Sequence, residues 1–234
     1  MLTVADLNAW YGLSHVLQGV TLEIGQGEIV AIMGRNGAGK TTTLKSVMGL
    51  VDRRAGSVVF QGREILAEPT HLRFALGLGY VPEERRIVPS LTVRENLRLG
   101  LLASPNRARE TLIINHIAAT FPRLKERLDQ FGDTMSGGEQ QMLAIARAMV
   151  SDPKMIMLDE PTEGVMPVLV DEMLSLFVEL KRQGTALLLV EQNVDLALDI
   201  ADRAYIMDHG TIVHHASAQS LRANKEVQER YCSV

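Results

Sequence analysis

Eight residues from Gly34 to Thr41, GRNGAGKT, fit the spacing G-x-x-x-x-G-K-[ST]. The chemistry of that spacing is phosphate binding. Its glycines let main-chain N–H groups close around phosphate oxygens, its lysine reaches the β and γ oxygens, and the hydroxyl that follows is a ligand for Mg²⁺. Gly34, Arg35, Asn36, Gly37, Ala38, Gly39, Lys40, Thr41 and Thr42 are therefore expected to hold the phosphates of a nucleotide, with Thr41 also on the metal. Further along, Met155 to Leu158 are apolar and Asp159 and Glu160 follow at once. A buried strand of this kind delivers carboxylates at the C-terminal edge of a sheet, where α/β ligands bind. Successive strand residues point opposite ways, so the two acids can divide the work. Asp159 is expected to hold Mg²⁺ through water, and Glu160 to orient and deprotonate the water that attacks the phosphorus.

A second stretch, TMSGGEQQML from Thr134 to Leu143, also reads as a phosphate site. A glycine pair at a helix start admits an anion to backbone N–H groups. Ser136 equally suits a helix N-cap. The two readings are compatible, because a cap whose N–H groups face outward is an anion site. One chain thus carries two places for phosphate.

The elements around these motifs follow from periodicity. LTVADLNAWYG and VTLEI alternate apolar with polar residues, as half-buried antiparallel strands do. EIVAIM is a continuous apolar run, then come the glycine loop and the helical KTTTLKSVMGL: buried strand, tight loop, helix. SVVFQG and GLGYVP are further strands. From SLTVRENLRLGLL the pattern turns helical, opened by Thr92 with Glu95 at capping-box spacing, and continues from ARETLIINHIAATF to RLKERL and again in GEQQMLAIARAMV. KMIMLDE and TALLLVEQ are strands, PVLVDEMLSLFVELKRQ and VDLALDIA helices, and AYIMD-HG-TIVHH a hairpin before a short helical end. The order implies an α/β nucleotide-binding core, residues 1–83 and 152–234, interrupted by a helical insert over 84–151, all in one domain.

Composition narrows the class. The 234 residues are 46% hydrophobic, enough for one substantial core. A net charge of -4 with Lys and Arg scattered among Asp and Glu argues against nucleic acid as a partner. The single cysteine, Cys232, has no partner for an intrachain disulfide. MLTVADLNAW lacks the basic and apolar regions of a secretion signal, and runs such as ALLLV are far shorter than a membrane span. His214 and His215 are neighbours on a strand and point to opposite faces, so with His209 they read as surface residues rather than metal ligands. Met142, Met149, Met155 and Met157 read as core packing.

The phosphate loop, then SGGE heading a helix, then an apolar run ending in Asp-Glu resembles the ATP-binding cassette (ABC) family of transport ATPases over essentially the whole chain. The resemblance implies a P-loop NTPase fold: a RecA-like core, an antiparallel β-subdomain and an inserted helical subdomain. It also implies that two cassettes close head to tail, so that Ser136, Gly137, Gly138 and Glu139 cover the nucleotide held by the other. Tyr11 stands where the family stacks an aromatic ring on adenine. Glu83 replaces a glutamine that faces Mg²⁺ and the attacking water, Gln192 replaces a histidine that touches the γ-phosphate, and Glu139 replaces the last glutamine of the signature. A P-loop kinase or GTPase would leave SGGEQQ without a role.

Within the family, VPEERRIVPSLTVRENL and LLLVEQNVDLAL are similar to the ATP-binding subunits of branched-chain amino acid importers. DEPTEGV is also similar to urea and short-chain amide importers, and a soluble ABC ATPase outside transport is a further alternative. The importer resemblance implies a second, related but different ATP-binding subunit, two transmembrane permease subunits reached through the loop from Glu83 to Asn96, and indirectly a periplasmic solute-binding protein. It places the chain in the cytoplasm, peripheral on the inner face of the cytoplasmic membrane.

Overall fold

The computed structural model describes residues 1–102 and 107–231. Cys232 lies outside the described residues. Strands β1 (Leu2–Tyr11) and β2 (Ser14–Ile24) reverse at Gly12, whose φ of +59° suits the tight turn. The sequence pattern starts the second strand only at Val20. The structure starts it at Ser14, because pairing with β1, from Tyr11 opposite Ser14 onward, carries SHVLQG through several shifts of register.

The buried run forms β3 (Ile29–Met33), and α1 (Lys40–Val47) follows the glycine loop. Next come β4 (Arg53–Phe60), β5 (Arg63–Glu64) and α2 (Thr70–Ala75). The last two escape a reading by period because they are too short to display one. Tertiary contact makes α2: its Arg73 is fully buried and donates to the carbonyls of Ser46, Val47, Leu66 and Glu68. Burial lowers the Arg73 pKa to about 10, which leaves it charged at neutral pH.

After β6 (Leu78–Val81) the chain is helical: α3 (Val93–Leu101), α4 (Glu110–Thr120), α5 (Pro122–Glu126) and α6 (Gly137–Met149). The Thr92–Glu95 capping box opens α3 as its spacing predicts. The continuous helix expected through RLKERL is instead broken at Phe121, since Pro122 has no N–H to continue the ladder and sits at the first position of α5. The chain ends with β7 (Met155–Asp159), α7 (Pro167–Arg182), β8 (Ala186–Val190), α8 (Val194–Ile200), β9 (Arg203–Asp208), β10 (Thr211–Ser217), α9 (Ala218–Ala223) and α10 (Lys225–Tyr231).

Two sheets result. One is antiparallel, in the order β2-β1-β4-β5; the other runs β10-β9-β3-β8-β7-β6, parallel from β9 to β6 with β10 antiparallel at its edge. The buried strands divide their side chains by the period of two. Ile29, Ala31 and Met33 join a core with α6 and α7, whereas Val30 and Ile32 join one with α1 and the antiparallel sheet. Met142 and Met149 sit in the first core, Met155 and Met157 in the second. No helix among the described residues is long and apolar enough to cross a membrane.

An ion pair ties the starts of β3 and β9. Arg203 donates from Nε to Glu28 Oε1 at 2.7 Å and from Nη2 to Glu28 Oε2 at 3.1 Å. Burial works against the Glu28 carboxylate, but the Arg203 hydrogen bonds and the Gly25 N–H outweigh it and hold the pKa below its ordinary 4.5. A pKa lower in the folded than in the unfolded chain stabilises at neutral pH, and that stabilisation is lost as pH falls below 4.5 through the folded value. Glu28→Gln is accordingly expected to cost about 1.5–3 kcal/mol at pH 7. It should also flatten the acid limb of a melting-temperature profile; an unchanged profile would remove this pair from the acid sensitivity of the fold.

Candidate ATP site

Strand register builds the site. On β8, Val190 lies level with Ile32 of β3 on one side and with Asp159 of β7 on the other. The glycine loop, Glu160 and the Glu191-Gln192 pair therefore leave the sheet at one edge, where ligands of parallel sheets bind. Gly34 of the loop is required by space as well as by conformation, whereas Gly37 is required by its φ of +80° alone. Gly34 has φ +149°, and a Cβ there would stand 2.2 Å from the Met207 carbonyl oxygen.

Lys40, almost fully buried, donates from Nζ to the carbonyls of Gly34 at 2.9 Å and Arg35 at 3.3 Å, and lies 3.8 Å from Glu160 Oε1. Thr41 donates from Oγ1 to Asp159 Oδ1 at 2.9 Å, and Tyr80 donates its hydroxyl to Asp159 Oδ2 at 3.1 Å. Gln192 donates from Nε2 to Glu160 Oε2 at 2.6 Å. Glu160 itself has φ +47°, a left-handed conformation that is costly for a residue with a Cβ and that turns its carboxylate away from the strand direction. Its N–H is held by the Val190 carbonyl at 2.9 Å. A cleft of about 410 Å³ is lined by Asn36, Gly37, Gly39, Lys40, Thr41, Thr42, Glu83, Glu160, Glu163, Gln192 and Val16.

The acids of this cleft are short of positive charge. Glu83, Glu160 and Glu163 each bring a carboxylate oxygen within 4.8 Å of the others. Burial raises the pKa of Asp159 against the hydrogen bonds from Thr41 and Tyr80. Burial raises that of Glu160 too, with a shared hydrogen bond from Glu163, against the Gln192 donation and the Lys40 charge. Glu83 is raised by burial and by the charges of Glu160 and Asp159. A hard, all-oxygen donor set around crowded carboxylates and a threonine hydroxyl fits Mg²⁺.

Several residues in the site have no motif to announce them. Tyr80 and Glu163 are two. Glu191 is a third: it is buried, its pKa is raised chiefly by burial, and it accepts from the Thr162 N–H at 3.2 Å and hydroxyl at 2.8 Å, pinning the loop after Glu160. Only their folded proximity to Asp159 and Glu160 reveals them.

The remaining sequence candidates lie elsewhere. Tyr11, at the end of β1, is half exposed and does not line the cleft. Ser136, Gly137, Gly138 and Glu139 are outside it as well and start α6. There Ser136 caps the helix: Glu139 N–H donates to Ser136 Oγ at 3.4 Å, and Glu139 Oε2 accepts from the Ser136 N–H at 2.9 Å and hydroxyl at 2.8 Å. Arg127 lies 3.3 Å from Glu139 Oε1. Burial pushes the Glu139 carboxyl up, but the Ser136 hydrogen bonds and Arg127 outweigh it and keep its pKa below the ordinary range. Gly138 is packed so closely that a Cβ would stand 2.4 Å from Leu169 Cδ1. The Ser136 side is exposed.

Known proteins resemble the chain over nearly its whole length. Residues 17–163 match the ABC transporter family. The chain is 39% identical to the high-affinity branched-chain amino acid transport ATP-binding protein BraG of Pseudomonas aeruginosa, over 99% of both chains. It is 37% identical to the probable branched-chain amino acid transport ATP-binding protein LivF of Archaeoglobus fulgidus, over 98% of this chain and 97% of that one. It is 35% identical to the lipopolysaccharide export system ATP-binding protein LptB of Haemophilus influenzae, over 99% of this chain and 96% of that one. Among solved structures, an ATP-binding subunit of an ABC transporter superposes with a TM-score of 0.85 at 30% identity, covering 97% of this chain and 94% of the other. The dimeric structure of a bacterial ABC transporter cassette gives a TM-score of 0.82 at 25% identity, covering 93% and 99%. The chain that carries the glycine loop after β3, the carboxylates at the end of β7 and the capped SGGE helix is thus an ATP-hydrolysing cassette and belongs to the ABC transporter family.

Proposed function

We propose that the chain powers an importer of branched-chain or other hydrophobic amino acids from the cytoplasmic side of the membrane, as one cassette whose segment 84–151 is the helical subdomain. The observation that carries this reading is the 39% identity to BraG over 99% of both chains. In the mechanism, the N–H groups of Gly34 to Thr42 and the Lys40 ammonium hold the phosphates, and Tyr11 stacks on adenine. Thr41, Glu83 and, through water, Asp159 hold Mg²⁺, which neutralises phosphate charge when bound. Glu160 takes the proton of the attacking water, and Gln192 orients Glu160 and donates to the γ-phosphate, an amide doing by hydrogen bond what it cannot do by carrying a proton. Ser136, Gly137 and Gly138 close over the nucleotide of a second, related cassette. Two permease subunits receive the motion through the loop from Glu83 to Asn96, and a periplasmic solute-binding protein delivers the solute.

A second reading is favoured by the LptB similarity, at 35% identity over 99% of this chain: the same ATPase role in lipopolysaccharide export. Deleting the coding sequence in its own organism separates the two. Import of labelled leucine is expected to fall by about tenfold or more, a loss set by the catalytic contribution of the cassette. Unchanged leucine uptake with depleted surface lipopolysaccharide would transfer the assignment to export, and unchanged leucine with lost urea uptake to the amide importers.

A further inference from the structure

We infer that Arg85 is a phosphate-binding residue of the signature half-site, aimed at the triphosphate that a second cassette holds. The inference rests on the head-to-tail pairing proposed above and adds to it a cation that SGGE does not contain.

Three observations place Arg85 there. First, its guanidinium lies against the signature itself: a Cβ on Gly137 would stand 2.8 Å from Arg85 Nη1, and one on Gly164 would stand 3.9 Å from Nη2. The side chain therefore spans the start of α6 and the loop that follows Glu160. Second, the turn that presents it has a fixed shape. Arg85 and Arg86 both take left-handed conformations, φ +60° and +47°, and the Arg85 carbonyl accepts from Arg147 Nη2 at 3.0 Å, a side chain of the same α6 helix. Third, among the described residues Arg85 has no carboxylate within 4 Å, although Arg63, Arg94, Arg98, Arg127, Arg203 and Arg222 do.

The charge count at the signature gives this cation a purpose. Glu139, held ionised by Ser136 and Arg127, puts a negative charge in the first turn of a helix whose N–H groups are to receive phosphate. Arg127, at 3.3 Å, and the more distant charge of Arg123 act on that carboxylate. Arg85 is left over. A planar guanidinium with free donors beside Gly137 restores the attraction for the terminal phosphate and can meet it with two parallel hydrogen bonds.

The test uses the full chain with ATP and Mg²⁺, in dilute solution where each molecule binds nucleotide alone and together with its related partner cassette, where the pair turns over. Arg85→Gln is expected to keep the dilute ATP affinity within about twofold while raising the ATP concentration for half-maximal turnover about tenfold or more, as loss of a charged hydrogen bond does. Arg85→Lys, which keeps the charge and loses the fork, should fall between. Weakened ATP binding by dilute Arg85→Gln would overturn the proposal, since Arg85 would then serve its own nucleotide. Ser136→Ala separates the failures. If that variant loses turnover while Arg85→Gln matches the wild type, the role of Arg85 falls alone. If neither variant changes turnover of the paired cassettes, the pairing falls and Arg85 with it.

Discussion

Exchange of Glu160 for glutamine is expected to lower ATP turnover by about 10²–10⁴-fold, the usual contribution of a general base, and at the same time to raise the melting temperature of the chain. The two effects have one cause. Burial, reinforced by Glu163, raises the Glu160 pKa above its unfolded value of 4.5 even though Gln192 donates to it at 2.6 Å and Lys40 lies 3.8 Å away. A carboxylate with a raised folded pKa costs stability at neutral pH, and the cost is relieved as pH falls through the folded value. Glutamine has no charge to desolvate, so the variant is more stable at pH 7 and the gap in melting temperature closes on acidification. Phosphate release and a series of thermal melts carried down from neutral pH towards the unfolded value of 4.5 measure both effects. Turnover retained within about threefold would mean that proton abstraction is not the work of Glu160.

The second large effect is expected at Lys40. Lys40→Met removes a charge-assisted hydrogen bond to phosphate, which at about 1.5–3 kcal/mol corresponds to roughly a 10–150-fold loss of ATP affinity. Unlike the change at Glu160 it should also destabilise the fold, because it takes away the cation 3.8 Å from a buried carboxylate and drives the Glu160 pKa higher still. The pair can be read by a double-mutant cycle. Lys40→Met with Glu160→Gln should recover the stability lost at Lys40 and recover none of the ATP binding. An equal rise in melting temperature on Glu160→Gln in the wild-type and Lys40→Met backgrounds would show that the two side chains do not interact in solution.

What could be read from the chain without its fold depended on whether the chemistry was contiguous. GRNGAGKT, the Asp159-Glu160 pair and SGGE each compress a functional unit into a few neighbouring residues, and the continuous apolar runs of β3, β7 and β8 announced the strands that carry two of them. Tyr80, Glu163 and Glu191 had no such signal, since an acid or a phenol at a strand end becomes part of a site only when another strand is set beside it. Arg85 was legible as half of a basic pair and not as the neighbour of Gly137. The break at Phe121 stood in plain view as the proline that follows it, whereas β5, α2 and the first half of β2 are made by long-range contact and leave little local trace.

The level alignment of Val190 between Ile32 and Asp159 also bears on how such a chain can change over time. β3, β8 and β7 are buried at every position and lock one another, so the loop, Glu160 and Gln192 share a rigid footing. The SGGE helix begins elsewhere, packs on one face of those strands, and is tied to them also through the turn at Arg85 and the packing of Gly138 on Leu169. Substitutions on the three strands alter how fast phosphate is released once the parts have met. On the proposed pairing, substitutions in the turn and in the helical insert would alter when those parts meet, so that speed and timing would be tuned separately within one polypeptide.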